Sequence, residues 1–125
     1  MAGDERLICA SEALKEGGTG VRFRLATWNG EEKGFVVRHR GRACAYVNQC
    51  PHAGTELDWQ PGEFFDIAGL YLVCATHGAL FEPDSGVCVA GPCRGASLRR
   101  LEVREVHGEI VLVSETFADN SKADT

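Results

Sequence analysis

The chain has 125 residues, of which 44% are hydrophobic and 25% are charged, and its net charge at pH 7 is −5. This length fits a single domain with one core, and the composition is that of a globular protein rather than a disordered or fibrous one. The acidic N-terminal residues precede no apolar run. We therefore expect no signal peptide, twin-arginine leader or membrane anchor, and a cytoplasmic location.

Short apolar segments separated by glycine-rich turns predict an all-β domain. In residues 21–28, Val21, Phe23 and Leu25 alternate with Arg22, Arg24 and Ala26. This period of two is the pattern of a half-buried strand. The other predicted strands, in chain order, are 35–39, 43–47, 70–73, 79–82, 87–89, 98–106 and 110–113.

Residues typical of turns separate several of these strands. They lie at Arg40-Gly41, at residues 83–86 and at His107-Gly108. Residues 9–16 are the one segment expected to form a helical turn, with Ser11 as its N-cap. The polar residues 115–125 are expected to be frayed.

Acidic side chains concentrate in residues 50–93, the acidic segment, which contains no Lys or Arg. Its acids are Glu56, Asp58, Glu63, Asp66, Glu82 and Asp84. Such a field can steer a basic partner protein to this part of the molecule, and it disfavours nucleic acid and anionic membrane as partners. The alternative, that these acids only keep the protein soluble, stays open.

Two cysteine–histidine pairs lie in the same segment. Cys50 and His52 form the first pair, Cys74 and His77 form the second, and a glycine follows each pair closely. A C-x-H…C-x-x-H arrangement is the ligand pattern of a Rieske 2Fe–2S centre, in which two imidazoles replace two thiolates on one iron. On this pattern the cysteines hold the buried iron and the histidines hold the outer, redox-active iron. A tetrahedral zinc site in an interaction module would use the same four residues and stays an alternative.

The chain has six cysteines in total. In a cytosolic protein, where thiols stay reduced, this number indicates a metal site rather than a set of disulfides. Cys9, Cys44 and Cys88 lie in apolar stretches and are predicted to be inert thiols of the core. Cys93 follows Gly91-Pro92 in a predicted loop and receives no role.

Residues 36–113 resemble a Rieske ferredoxin. The wider family includes the ferredoxins of ring-hydroxylating dioxygenase systems and the small subunit of nitrite reductases. The motifs that carry the resemblance are C-P-H-x-G at residues 50–54, C-x-x-H-G-x-x-F at 74–81, the turn at 84–86, the Gly91-Pro92 loop and the closing hairpin at 98–113.

The resemblance implies an all-β Rieske (ISP-like) fold of three antiparallel sheets. Residues 49–93 would form a cluster-binding subdomain inserted into a single domain that spans residues 1–125. The Gly91-Pro92 loop would cover the cluster and exclude water from the buried iron. The segment between His52 and Cys74 has more residues than is usual for the family, and the extra residues fall around 59–66. At least one of the adjacent Phe64 and Phe65 covers the cluster loops or meets a partner in this interpretation. The alternative is that both cap a small satellite core.

The implied function is that of a low-potential Rieske 2Fe–2S electron-transfer protein. It would pass single electrons between a reductase and an acceptor such as an oxygenase. High-potential Rieske proteins carry an extra cysteine in each ligand loop, joined as a disulfide, where this chain has Thr55 and Thr76. They also place hydroxyl donors where this chain has Ala79 and Phe81.

Other functions compete with this interpretation. An oxygenase needs a mononuclear iron held by two further histidines and a carboxylate. Only His39 and His107 are left for it, both beside glycine turns where surface histidines are common, so we expect an electron carrier and not an enzyme. Nitrite reductase small subunits resemble the fold but have lost the four ligands. An iron–sulfur sensor or an accessory subunit of a larger redox complex stays open.

Overall fold

A computed structural model describes residues 6–27, 30–51, 55–58, 60–75, 78–92 and 94–113. These residues form strands and one short 3₁₀ turn, Ser11–Ala13. The strands are β1 (Arg6–Ala10), β2 (Val21–Thr27), β3 (Gly30–His39), β4 (Arg42–Val47), β5 (Leu72–Val73), β6 (Leu80–Phe81), β7 (Cys88–Ala90), β8 (Arg100–Leu101), β9 (Val103–Val106) and β10 (Glu109–Leu112). The predicted all-β class is confirmed.

The strands form three antiparallel sheets, as predicted. The first sheet has the order β1-β10-β9, the second β2-β3-β4-β8 and the third β5-β6-β7. Because β4 pairs directly with β8, the chain between them is an insertion into the second sheet, and this insertion forms the third sheet. The bounds 49–93 for the subdomain and 1–125 for the domain remain predictions.

Two hairpins close on two-residue turns at the predicted positions. Arg40 and Gly41 have φ values of 54° and 77°, and His107 and Gly108 have values of 52° and 77°. Two successive positive φ values are those of a type I′ turn, whose twist matches that of the flanking strands. These turns fix the register of β3 with β4 and of β9 with β10.

The second sheet is the central layer, because its side chains alternate between two buried clusters. Phe35 and Tyr46 point to the cluster that also contains third-sheet residues, whereas Val36 and Ala45 point to the cluster shared with the first sheet. The strand period of two produces this alternation. The third sheet and the loops attached to it are thereby mounted on a sheet that is buried on both faces.

Phe64 and Phe65 are both buried in the cluster between the second and third sheets. The Phe64 ring stacks on the Phe35 ring, with 3.9 Å between centroids and 11° between planes. Neither ring is available to a partner. Both contribute to the main core beneath the third sheet rather than to a satellite core.

The N-terminal part of the chain differs from expectation. The predicted helical turn over residues 9–16 is reduced to the 3₁₀ turn, because Cys9 and Ala10 belong to β1. Ser11 is not the N-cap, since Ala10 occupies that position without a side-chain hydrogen bond. Trp28 and residues 115–125 lie outside the described residues. Among the described residues, no helix is long and apolar enough to cross a membrane.

Candidate metal centre

The first ligand loop, residues 50–55, follows β4. The side chain of Cys50 is buried, with 1% of the residue exposed. Its backbone N–H donates a hydrogen bond to the Thr55 carbonyl at 2.7 Å, so the loop closes on itself. Pro51, next to the cysteine, is exposed.

The second ligand loop, residues 74–79, follows β5 and closes in the same way. Cys74 is fully buried, and its N–H donates to the Ala79 carbonyl at 2.9 Å. Gly78 donates its N–H to the Cys74 carbonyl at 2.8 Å and has φ 69°, in the left-handed region that favours glycine. In both loops the hydrogen bond joins the cysteine to the fifth residue after it.

The predicted histidine ligands, His52 and His77, lie outside the described residues, as does Thr76. Each falls in the chain between the two ends of a closed loop. In the part of the chain that is described, no group of three or more His, Cys, Asp or Glu side chains could hold a metal ion. The described residues include only two of the four predicted ligands, Cys50 and Cys74.

The two ligand loops are connected through the backbone of Leu57. The N–H of Ala75, the residue after Cys74, donates to the Leu57 carbonyl at 2.9 Å. The Leu57 N–H donates to the side-chain oxygen of Asn48, two residues before Cys50, at 2.8 Å. Sequence reasoning missed Asn48 and Leu57. The one local feature that could have indicated Asn48 is its position as a polar residue directly after the apolar strand β4.

The loop after β7 packs directly on the second ligand loop. Gly91 has φ 104°, and a Cβ built on it would lie 2.7 Å from the Ala79 Cα. Only glycine allows this approach of two backbones. The contact brings the loop after β7 against Ala79, and the covering role of Gly91-Pro92 stays a prediction. Cys93 lies outside the described residues.

Bases from outside the acidic segment compensate several of its acids. The Glu56 carboxylate lies 3.3 Å from the Arg22 guanidinium and 3.1 Å from the Lys33 ammonium. The Asp58 carboxylate, whose side chain is 2% exposed, lies 3.6 Å from the Arg22 Nε. Asp58 is therefore a structural residue rather than a docking charge, and the field of the segment is weaker than its sequence indicates.

His39 does not lie at the surface as expected. It is 7% exposed, its Nδ1 lies 3.1 Å from Asp84 Oδ1, and its ring stacks near Phe65 with 6.3 Å between centroids. His107 is exposed in the β9–β10 turn, as expected. The two histidines thus lie in different environments, one in the core and one in a surface turn.

Three further cysteines behave as structural thiols. Burial raises the pKa of Cys44 to about 11 and also raises the pKa of Cys9. Both are half-buried, and they pack against the two clusters of buried side chains. Cys88 is buried, and its Sγ lies 3.2 Å from the Ala90 carbonyl oxygen, which it can reach as a donor. These contacts agree with the predicted role of core thiols.

Cys50 and Cys74 suit an iron–sulfur cluster. Both belong to one packed cluster of buried side chains, together with Ala79 and Phe81. Thiolates favour Zn, Cu(I) and iron–sulfur clusters, and a buried pair on matched loops fits the inner iron of a 2Fe–2S centre. Three antiparallel sheets that carry such loops are consistent with a β-sheet iron–sulfur protein.

The chain belongs to the Rieske 2Fe–2S domain family, whose model matches residues 5–114. The cofactor is a Rieske-type 2Fe–2S cluster. A search of the curated proteins found no match.

Solved structures share the fold. The ferredoxin of carbazole 1,9a-dioxygenase from Nocardioides aromaticivorans IC177 is 25% identical with a TM-score of 0.68, over 88% of this chain and 97% of that one. The ferredoxin of Sphingomonas yanoikuyae B1 is 19% identical with a TM-score of 0.67, over 88% and 98%. The terminal oxygenase of carbazole 1,9a-dioxygenase from Novosphingobium sp. KA1 is 23% identical with a TM-score of 0.71, over 90% of this chain but 30% of the oxygenase.

Proposed function

We propose that this protein is a low-potential Rieske ferredoxin that passes single electrons from a reductase to an acceptor such as an oxygenase. Cys50 and Cys74 hold the inner iron in this proposal, and His52 and His77 hold the outer one. The observation that carries it is the pair of matched loops, each rooted at a buried cysteine and closed by the hydrogen bond of that cysteine to the fifth residue on.

The loops supply what an electron carrier needs from its protein. Hydrogen-bonded loop ends and burial limit the movement of Cys50 and Cys74, and a rigid site keeps the reorganisation on electron transfer small. The close approach of Gly91 to Ala79 supports a role for the Gly91-Pro92 loop in excluding water from the cluster. When bound, the cluster accepts and donates one electron at a time, and the protein positions it and sets its potential.

The names of the related structures support an electron carrier that serves an oxygenase. The ferredoxin from Nocardioides is named as a component of carbazole 1,9a-dioxygenase, and another matching chain comes from a complex of reduced oxygenase and oxidised ferredoxin. An oxygenase acceptor and a role without catalysis of its own therefore belong to the proposal, as does a location in the cytoplasm.

The test is anaerobic purification followed by absorption and electron paramagnetic resonance (EPR) spectroscopy. A red-brown protein whose reduced form gives a rhombic signal with an average g value below that of the free electron supports the proposal. A colourless protein that contains zinc refutes the proposal and favours the alternative, a zinc site in an interaction module. Iron analysis of Cys50→Ser and Cys74→Ser then tests the ligand assignment separately from the cofactor.

A further inference from the structure

The hydrogen bonds around Leu57 form a continuous connection from the central sheet to both ligand loops. The Asn48 N–H donates to the Lys33 carbonyl of β3 at 2.8 Å, which anchors Asn48 to the sheet. From Asn48 the connection continues through its side-chain oxygen to the Leu57 N–H, and from the Leu57 carbonyl to Ala75. Leu57 is fully buried, so water cannot replace these bonds.

The orientation of the Asn48 carboxamide is fixed by its second partner. Its Nδ2 donates to Asp58 Oδ1 at 3.1 Å while its Oδ1 accepts from Leu57. A flipped amide would place the NH₂ group against the Leu57 N–H and the oxygen against a carboxylate, so both bonds would be lost. Asn48 is 5% exposed, which makes each lost bond costly.

Asp58 is itself held by other groups. Its Oδ2 accepts from the Gly62 N–H at 3.0 Å and lies 3.6 Å from the Arg22 Nε. The carboxylate therefore cannot turn away from Asn48 without leaving these donors. One orientation of the Asn48 carboxamide therefore satisfies both hydrogen bonds. The positions of Leu57 and Ala75 depend on this orientation.

We propose that Asn48 is a positioning residue for the cluster, which sets the spacing of the two ligand loops through the backbone of Leu57. This inference rests on the proposed ligand set. Each loop is closed by its own hydrogen bond, so the loops can form without Asn48. The connection through Leu57 instead determines how the loop of Cys50 lies relative to the loop of Cys74, which is the relationship that one cluster bridging both loops requires.

The test compares Asn48→Ala with Tyr46→Phe. The Tyr46 hydroxyl makes a buried hydrogen bond to the Pro83 carbonyl at 2.6 Å, in the turn between β6 and β7, so its loss controls for general destabilisation. In Asn48→Ala we expect cluster loss to a chelator, followed by visible absorption, to be at least about fivefold faster than in Tyr46→Phe. The g values of the reduced Asn48→Ala protein should also shift or broaden, whereas those of Tyr46→Phe should match the wild type.

An exchange of the two side chains supplies the rescue experiment. Asn48→Asp alone places two carboxylates against each other and should behave like Asn48→Ala. In Asn48→Asp/Asp58→Asn, the new carboxylate can accept from both Leu57 and the new amide, so chelator resistance and wild-type g values should return. A double variant no better than Asn48→Asp would overturn the proposal.

The proposed function and the positioning role of Asn48 are refuted by different results. A wild-type protein without a Rieske EPR signal refutes the proposed function. A wild-type protein with that signal, together with an Asn48→Ala variant that matches Tyr46→Phe in g values and cluster loss, overturns the positioning role alone.

Discussion

Gly91 lies so close to Ala79 that a Cβ on Gly91 would come within 2.7 Å of the Ala79 Cα. The contact joins the loop after β7 to the second ligand loop by backbone alone. It explains why this position needs glycine for two separate reasons, its φ of 104° and the lack of space. A second glycine in the same loop separates the two reasons, because Gly95 has φ 95° but nothing within 4 Å of a built Cβ.

Gly91→Ala should therefore destabilise the protein more than Gly95→Ala. A positive φ alone costs an L residue about 1–2 kcal/mol, so both variants should lose about this much of the free energy of unfolding. Gly91→Ala must in addition move backbone away from Ala79, so we expect a larger drop in the free energy of unfolding and faster cluster loss. Chemical denaturation of the holoprotein and visible absorption measure the two quantities. Equal losses in both variants would show that the Gly91 contact has no role.

Cys50→Ser and Cys74→Ser should each abolish the 2Fe–2S cluster and destabilise the fold. Sulfur is the natural ligand of the inner iron, and the metal-binding free energy of such loops is folding free energy. Cys44→Ser is the matched control, since Cys44 is a half-buried thiol of β4 that lies outside both ligand loops. Iron content and visible absorption are the measurements. Full absorption in Cys50→Ser, or its loss in Cys44→Ser, would contradict the assignment.

Alternation predicted β2, but β3 begins at Gly30 rather than at residue 35. The single strand predicted over residues 98–106 is wrong, since β8 and β9 belong to different sheets. The insertion of the third sheet and the two turns with positive φ were predicted, from the family motifs and from local composition. β1 was missed because its stability comes from pairing with β10, about a hundred residues away, and its register is interrupted between Leu7 and Cys9.

The site was predicted less completely, because its supporting contacts are not local. The cysteines carry a spacing motif, but the contact of His39 with Asp84 joins residues 45 positions apart in the chain. The partners of Asn48 are likewise defined only once β4 and the insertion are folded. Charge counting also overstated the acidity near the ligands, because Arg22 and Lys33 come from the central sheet.

Reversal of a charge in the acidic segment should slow the reduction of the protein by its reductase at low salt. Glu63→Lys suits this test, since the one described hydrogen bond of the Glu63 carboxylate is accepted from the exposed Thr19 hydroxyl at 3.3 Å. Glu12→Lys changes the net charge equally but lies outside the segment. We expect a rate about two- to fivefold lower in Glu63→Lys alone.

Screening by salt identifies the effect as electrostatic steering. The Debye length falls to about 8 Å at physiological ionic strength, so the difference should shrink as salt is added. Stopped-flow reduction at several salt concentrations measures it. Equal rates for Glu63→Lys, Glu12→Lys and the wild type at low salt would leave solubility as the only role of these acids.

The last prediction is that the centre has a low reduction potential. Ala79 and Phe81 are buried in the same cluster as Cys50 and Cys74, and neither carries a hydroxyl that could donate to sulfur. A hydrogen bond to a charged acceptor contributes about 1.5–3 kcal/mol. For one electron, about 59 mV corresponds to about 1.36 kcal/mol, so each missing donor lowers the potential by up to about 65–130 mV.

Two missing donors move the expected midpoint towards the lower end of the Rieske range, roughly −150 mV. Fewer donors leave more electron density on sulfur, which stabilises the oxidised state. The measurement is protein-film voltammetry near pH 7 on the native protein, on Ala79→Ser and on Ala68→Ser, which adds a hydroxyl in an exposed turn. Ala79→Ser should raise the midpoint and Ala68→Ser should not. A native midpoint above zero would refute the low potential, and an unmoved midpoint in Ala79→Ser would refute the hydrogen-bond explanation for it.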